Sequence, residues 1–236
     1  MTKWLEVYEF NNKIRKGVNC DGGYVICDLL DENAYDCYIT AGVSNEESFT
    51  RDFLEMYKIN KNNSFAFDGT IEDFPYHYTE NITFLKKNIS NINDDSHTNL
   101  DFLFEKYDNI FLKMDIEGGE YEWLLSIDEN KLKKIKQLAI EFHGINDDTW
   151  NCSLSNKIKC LEKIFNTHYL VHAHGNNYGG MTYNIPDVIE LTYLNKNVFT
   201  DTPNHNKCPL PIPNIDFPNN LHYPEHSLNT YPFTFP

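Results

Sequence analysis

The residues that most limit what this chain can become are Phe111-Leu112-Lys113-Met114-Asp115-Ile116-Glu117-Gly118-Gly119-Glu120-Tyr121-Glu122-Trp123-Leu124-Leu125. A short apolar run ends in two carboxylates at alternate positions. A glycine pair follows, and then a segment that begins on acids. That order reads as a buried parallel strand that hands over to a crossover helix. Alternation puts Asp115 and Glu117 on one side of the strand. Gly118 and Gly119 allow a tight turn and close approach of a ligand. Glu120 and Glu122 fall in the first helical turn, where the helix dipole favours negative charge. Open parallel sheets bind ligands beyond the carboxyl ends of their strands, so function is expected here.

The rest of the chain repeats the strand-then-helix rhythm. Gly22–Cys27 reads as a turn and short strand, half of a hairpin. Tyr35–Gly42 is a core strand ending in small residues. Residues 44–57 read as a helix with Ser44 as N-cap and Glu47 completing a capping box, and with Phe49, Phe53, Met56 and Tyr57 on one face. Strands are expected at Ser64–Gly69 and Ile82–Leu85, a polar loop over 88–99, a short helix from Asn99 to Tyr107, and a strand at Gln137–Gly144. Ser153–His168 is the cleanest amphipathic helix, with Leu154, Ile158, Leu161, Ile164 and Phe165 as its apolar stripe. Strands Tyr169–His174 and Val188–Leu194 close the pattern with no helix between them, which predicts an antiparallel hairpin at the sheet edge. The alternation predicts an α/β chain built on a mostly parallel, doubly wound sheet. One domain over 1–236 suits the length. Residues 1–20 read as a lead-in, and 200–236, rich in proline and aromatics, as an extended strap on the domain surface.

The run Lys-Met-Asp-Ile-Glu-Gly-Gly-Glu resembles the Lys-(hydrophobic)-Asp-(hydrophobic)-Glu-Gly-x-Glu signature of FkbM-type methyltransferases. The likeness extends from about Asp21 to the C-terminus, and the Asp21-Gly22-Gly23-Tyr24 turn is similar to another element of that family. It implies a Rossmann-like class I methyltransferase fold with a seven-stranded sheet and helices on both faces. It also implies S-adenosyl-L-methionine as cofactor and transfer of a methyl group to a hydroxyl, often on a sugar.

Two places suit such chemistry. Thr40-Ala41-Gly42-Val43-Ser44 is a strand-to-helix turn with small side chains and backbone amides, a candidate cofactor contact at Ala41, Gly42, Val43 and Ser44. Alone it is weak, since it carries one glycine rather than a glycine-rich fingerprint. Asp68 ends the next strand, where an acid holds ribose hydroxyls; an aspartate before glycine is equally a common turn. Asp95, Ser96 and His97 either border an adenine or cap the helix that follows. Asp115 belongs to both cofactor and acceptor.

The second place is the acceptor edge, where Asp115 and Glu117, Glu141 and His143, and His172 and His174 end three expected strands. Asp115, Glu141, His143 and His174 are the candidate catalytic residues. A histidine can act as general base toward the acceptor hydroxyl. In the other version Asp115, Glu141 and His172 hold Mg²⁺ or Mn²⁺, which lowers the hydroxyl's pKa. The loop 175–182, with Asn176, Asn177 and Tyr178, is either a sugar-binding element or an ordinary hairpin turn.

A net charge of −15 argues against nucleic acid and against an anionic membrane surface as partners. A neutral small-molecule or glycan acceptor suits it better. No apolar run reaches the roughly 20 residues of a membrane span, and the N-terminus lacks the pattern of a signal peptide. The 6 cysteines show no CxxC spacing, so free thiols in a reducing, cytoplasmic setting are expected. Two rivals stay open on the residues alone: a nucleotide-sugar or dinucleotide enzyme on a similar sheet, and a non-catalytic binding relative.

Overall fold

The computed structural model describes residues 1–75 and 80–236. In chain order the elements are β1 (Lys13–Lys16), β2 (Tyr24–Cys27), β3 (Cys37–Ala41), α1 (Ser48–Tyr57), β4 (Ser64–Phe67), β5 (Thr83–Leu85), β6 (Asn88–Ile89), β7 (His97–Thr98) and α2 (Asp101–Phe104). Then come β8 (Ile110–Met114), α3 (Gly119–Ser126), α4 (Glu129–Leu132), β9 (Ile135–His143), α5 (Leu154–Thr167), β10 (His168–Gly175), β11 (Met181–Thr182), β12 (Ile185–Pro186) and β13 (Val188–Asn195).

The main sheet has 7 strands in the order β10-β13-β9-β8-β3-β4-β5. Strands β9, β8, β3, β4 and β5 run parallel, and β13 lies antiparallel between β9 and β10. The expected edge hairpin is present, with its second strand inserted inside the first. Side-chain alternation divides the core into two layers. Tyr38 and Phe111 face α1, where Phe49, Phe53, Leu54 and Tyr57 are buried against them. The Phe53 and Phe111 rings sit 4.1 Å apart. Ile39, Leu112, Leu138 and Ile140 face the other way, under Leu103, Phe104, Tyr121, Trp123, Leu161 and Ile164 of the later helices.

Three local expectations change. Ser44 is not a helix cap: α1 starts at Ser48 with Glu47 at the N-cap and no capping hydrogen bond, because the Ser44 amide is held by Asp68. Helix α5 does begin after a capping Ser153, but its buried face centres on Lys157, Cys160, Leu161 and Ile164. Leu154, Ile158 and Phe165 are only half-buried. Lys157 can be buried because its Nζ donates to the Gly144 carbonyl and lies over the Tyr121 ring. The loop 88–99 contains a small parallel pair, β6 with β7.

Residues 200–236 run back across the molecule. Leu210, Leu228 and Phe233 are fully buried in the same cluster as Leu5 and Val7. The Asn206 amide donates to the Val7 carbonyl, and Val7 forms a bridge with Leu170 of the edge strand β10. All 6 cysteines are free. Among the described residues no helix is long and apolar enough to cross a membrane.

Candidate active site

Strand register aligns the chemistry. Ala41 pairs with Phe67 and with Met114, and Met114 pairs with Ile140. The next residue on each strand is therefore at one level: Asp68, Gly42, Asp115 and Glu141. The row continues across the antiparallel strands, since Glu141 pairs with Glu190 and Glu190 with His174. One line of polar groups thus crosses the carboxyl edge of the parallel strands.

Over β4, β3 and β8 that edge opens into a cleft of about 590 Å³. Gly42, Ser44, Asp68, Asn88, Ser90, His97, Asp115 and Glu117 border it. Gly42 has a φ of +75°, and a Cβ there would lie 1.5 Å from the Asp115 carbonyl oxygen, so only glycine lets the two strand ends meet. Asp68 organises the turn. Its Oδ2 accepts the Val43 amide at 3.0 Å and the Ser44 amide at 2.9 Å, and its Oδ1 accepts the amide and hydroxyl of Thr70. Burial pushes its pKa up, but the hydrogen bonds from Thr70, Ser44 and Val43 outweigh that and hold it below the usual carboxylate range.

Beside the cleft, His143 stands among four carboxylates. Its Nε2 lies 3.2 Å from Glu141, 3.3 Å from Glu117 and 4.0 Å from Asp115, and its Nδ1 lies 3.4 Å from Glu120. The Trp150 ring packs on it at 5.0 Å. Burial alone would lower the His143 pKa, yet the hydrogen bonds and charges of Glu120 and Glu141 hold it up to about 10. Burial, then the nearby Asp115 charge, raises the Glu141 pKa, against the pull of His143. Asp115 accepts the Tyr24 hydroxyl at 2.9 Å and lies 3.6 Å from Lys113 Nζ. Lys113 also donates to the Gly42 carbonyl.

Further along the row the histidines turn to the tail. His174 is gripped by Glu190 at 3.2 Å and by Glu225; burial lowers its pKa, and these two carboxylates carry it up to about 10. His172 binds Asp216 at 2.8 Å, and burial keeps its pKa below the usual histidine value.

The sequence-derived sites are therefore partly assembled. Gly42, Ser44, Asp68 and Asp115 border the cleft; Ala41 and Val43 are buried behind it, and Ser96 is held in a turn by Asp94 while its neighbour His97 faces the cleft. Asp115, Glu117 and His143 come together, their ligand atoms within 4.8 Å of one another. Strand alternation is not the cause for Glu117: β8 ends at Met114, and a left-handed Glu117 (φ 53°) swings the side chain back. Asp115, Glu141 and His172 do not form a metal-ligand set among the described residues, because His172 is engaged by Asp216. Asn176 donates weakly to Glu141, and Asn177 is clasped by backbone carbonyls of Asn220 and Tyr223, so of these three loop residues Tyr178 is the exposed one. Sequence reasoning missed Tyr24, Trp150, Glu190 and the buried role of Glu120. A charged residue inside the apolar run 188–194 was the available signal for Glu190.

A family model, the methyltransferase FkbM domain, matches residues 6–190. No curated protein and no solved structure matches the chain.

Proposed function

We propose that this chain, which belongs to the FkbM methyltransferase family, methylates a hydroxyl of a sugar or another neutral acceptor using S-adenosylmethionine. When bound, that cofactor supplies a methyl carbon already activated for in-line attack. The observation that carries the reading is the alignment of Gly42, Asp68 and Asp115 at one level beneath the cleft. The residues fit an adenosyl group. The cleft is of nucleoside size, with an acid at ribose depth and a small-residue turn, and without the glycine-rich cradle that a pyrophosphate needs. Asp68 would take a ribose hydroxyl in place of that of Thr70 and keep the Val43 and Ser44 amides, so the turn stays fixed.

The acceptor would lie between Asp115 and His143. A hollow of about 490 Å³ beside the cleft, bordered by Glu117, Gly119, Trp150 and Asn151, would receive the rest of it, with the half-exposed Trp150 ring as a platform for a sugar face. His143 and His174 are both held protonated near neutral pH. The hydroxyl proton therefore goes to the Asp115 carboxylate, and the His143 imidazolium orients the acceptor oxygen. This replaces both the histidine base and the His172-containing metal set as the route of deprotonation. The free thiols suit the reducing, cytoplasmic setting expected from the sequence.

Calorimetric titration with S-adenosylhomocysteine tests the reading. Binding to the parent and its loss in Asp68→Ala are expected. Asp115→Asn should keep that binding while turnover on a glycan acceptor falls by about 10²-fold or more. A folded parent that takes NAD but not S-adenosylhomocysteine would overturn the proposal in favour of a dinucleotide enzyme.

A further inference from the structure

A second hollow, of about 410 Å³, opens at the other end of the sheet, where the parallel strands begin. Asn109 stands there just before β8, Lys133, Lys134 and Lys136 at the entry to β9, and Asn197 just beyond β13. The 5 residues of β8, roughly 16 Å of strand, separate this hollow from Asp115. Its charge inverts that of the chain. The sequence holds 35 acids against 20 lysines and arginines, yet three lysines and a single acid, Asp31, line the hollow. Cations gathered in a concave place make a local well for anions in a molecule that repels them elsewhere.

Two of these lysines are held in place. Lys134 Nζ donates to the Phe104 carbonyl at 2.7 Å, and Lys136 Nζ to the Ala34 carbonyl at 2.8 Å. Each carbonyl takes one N–H of an ammonium that carries three, so donors remain for a ligand and little ordering is left for it to impose. Lys136 is half-buried and forms no ion pair among the described residues. Asp108, 3.2 Å from Lys134, and Glu129, 3.4 Å from Lys133, are exposed and do not line the hollow. Exposed pairs of that kind are weak and yield to a better partner. The rest of the wall turns apolar at Leu29, Ala34 and Val198.

We propose that this hollow binds a small phosphomonoester, with its phosphate on Lys133, Lys134 and Lys136 and its organic body against Leu29, Ala34 and Val198. A phosphate monoester presents three strong acceptor oxygens, one for each ammonium, and lysine binds phosphate as a point charge. The volume is that of a small-metabolite pocket, with room beside the phosphate for the body that the apolar wall favours. The site is separate from the methyl-transfer cleft and does not rest on that reading.

The test is calorimetry of the full chain at low salt with phenyl phosphate and with inorganic phosphate. One equivalent of phenyl phosphate should bind, more tightly than inorganic phosphate, and the binding should weaken as salt rises. Lys136→Gln keeps a donor for the Ala34 carbonyl, and Lys133→Ser changes only an exposed side chain. Each should weaken binding by about 10-fold or more, at a melting temperature close to the parent's. Lys159→Ser, which removes an ammonium resting on Asn156 of α5, should bind as the parent does. No binding by the parent overturns the proposal. So does parental affinity in both Lys136→Gln and Lys133→Ser, which would place the ligand elsewhere. Equal affinity for the two phosphates would assign the hollow to inorganic phosphate and overturn the ester. S-adenosylhomocysteine titration of the same preparations reports on the cleft, so the two readings fail independently.

Discussion

Glu120 holds His143 at two points: one carboxylate oxygen accepts the histidine's backbone amide at 3.0 Å and lies 3.4 Å from its ring Nδ1. The first turn of α3 and the end of β9 are thereby fixed to each other, and the imidazole keeps its charge. Glu120→Gln preserves an acceptor for the amide and removes the negative charge. The His143 pKa should then fall from about 10 toward the ordinary histidine range. Stability should drop by about 2 kcal/mol, the difference a charged hydrogen bond makes. An NMR titration of the imidazole checks this; a ring still protonated at alkaline pH in the variant would mean that Glu141 and Glu117 suffice.

Gly42→Ala should be among the most damaging small substitutions in the chain. Its added carbon would fall 1.5 Å from the Asp115 carbonyl oxygen at a left-handed φ. The backbone conformation alone costs about 1–2 kcal/mol, and the clash adds to it. A lower melting temperature and loss of S-adenosylhomocysteine binding are expected. Gly119→Ala is the control. Its Cβ would meet only the Ile116 side chain, at 3.2 Å, and helix propensity favours alanine by about 1 kcal/mol, so stability should stay within about 1 kcal/mol of the parent.

Stability should be greatest near neutral pH and fall on both sides, through different histidines. Burial pushes the His168 pKa down to about 4, against the pull of the Ile135 carbonyl. Its contribution is complete above the unfolded value of 6.5 and is lost as pH falls toward 4. His174 and His143 are raised to about 10, so their contributions are complete below 6.5 and are lost as pH rises through 10. Denaturant titrations across pH should show a flatter acid limb in His168→Asn and a flatter alkaline limb in His174→Gln. Unchanged limbs in both variants would count against these assignments.

Phe233, though only three residues before Pro236, is fully buried with Leu210 and Leu228. Phe233→Ala should cost about 3–5 kcal/mol, as for other core phenylalanines. Limited proteolysis should then cut first within 200–236. A tail that stays resistant would show that Asp216, Asn219 and Glu225 hold it without the apolar anchor.

The sequence made visible what depends on local pattern. The run 111–125 announces a strand, a turn and a helix because apolar spacing and glycine placement are short-range signals, and the pairing of β10 with β13, both after α5, follows from the absence of a helix between them. What stayed hidden depends on register. The capping pattern at Ser44 and Glu47 was sound chemistry, but Asp68, a neighbour only after β3 and β4 pair, takes the Ser44 amide. His172 and His174 read as active-site residues because they end a strand, yet their partners Asp216 and Glu225 come from a tail with no periodic pattern to announce where it docks. Glu120 looked like a dipole-compensating acid, and only the packing of α3 against β9 buries it on His143.

The bridge between Val7 and Leu170 has a consequence for the order of assembly. Val7 is hydrogen-bonded to Asn206 and Pro232 and bridged to Leu170. A ribosome delivers Val7 early and all of these partners late. The sheet can gather around β3, β4 and β8 while synthesis continues, but β10 keeps a raw edge until the tail has been made, and the opening residues wait for it. Contacts of such span slow folding. The nascent chain thus carries an open strand edge, the kind of surface chaperones cover, until the segment from Asn206 to Pro232 closes over Val7.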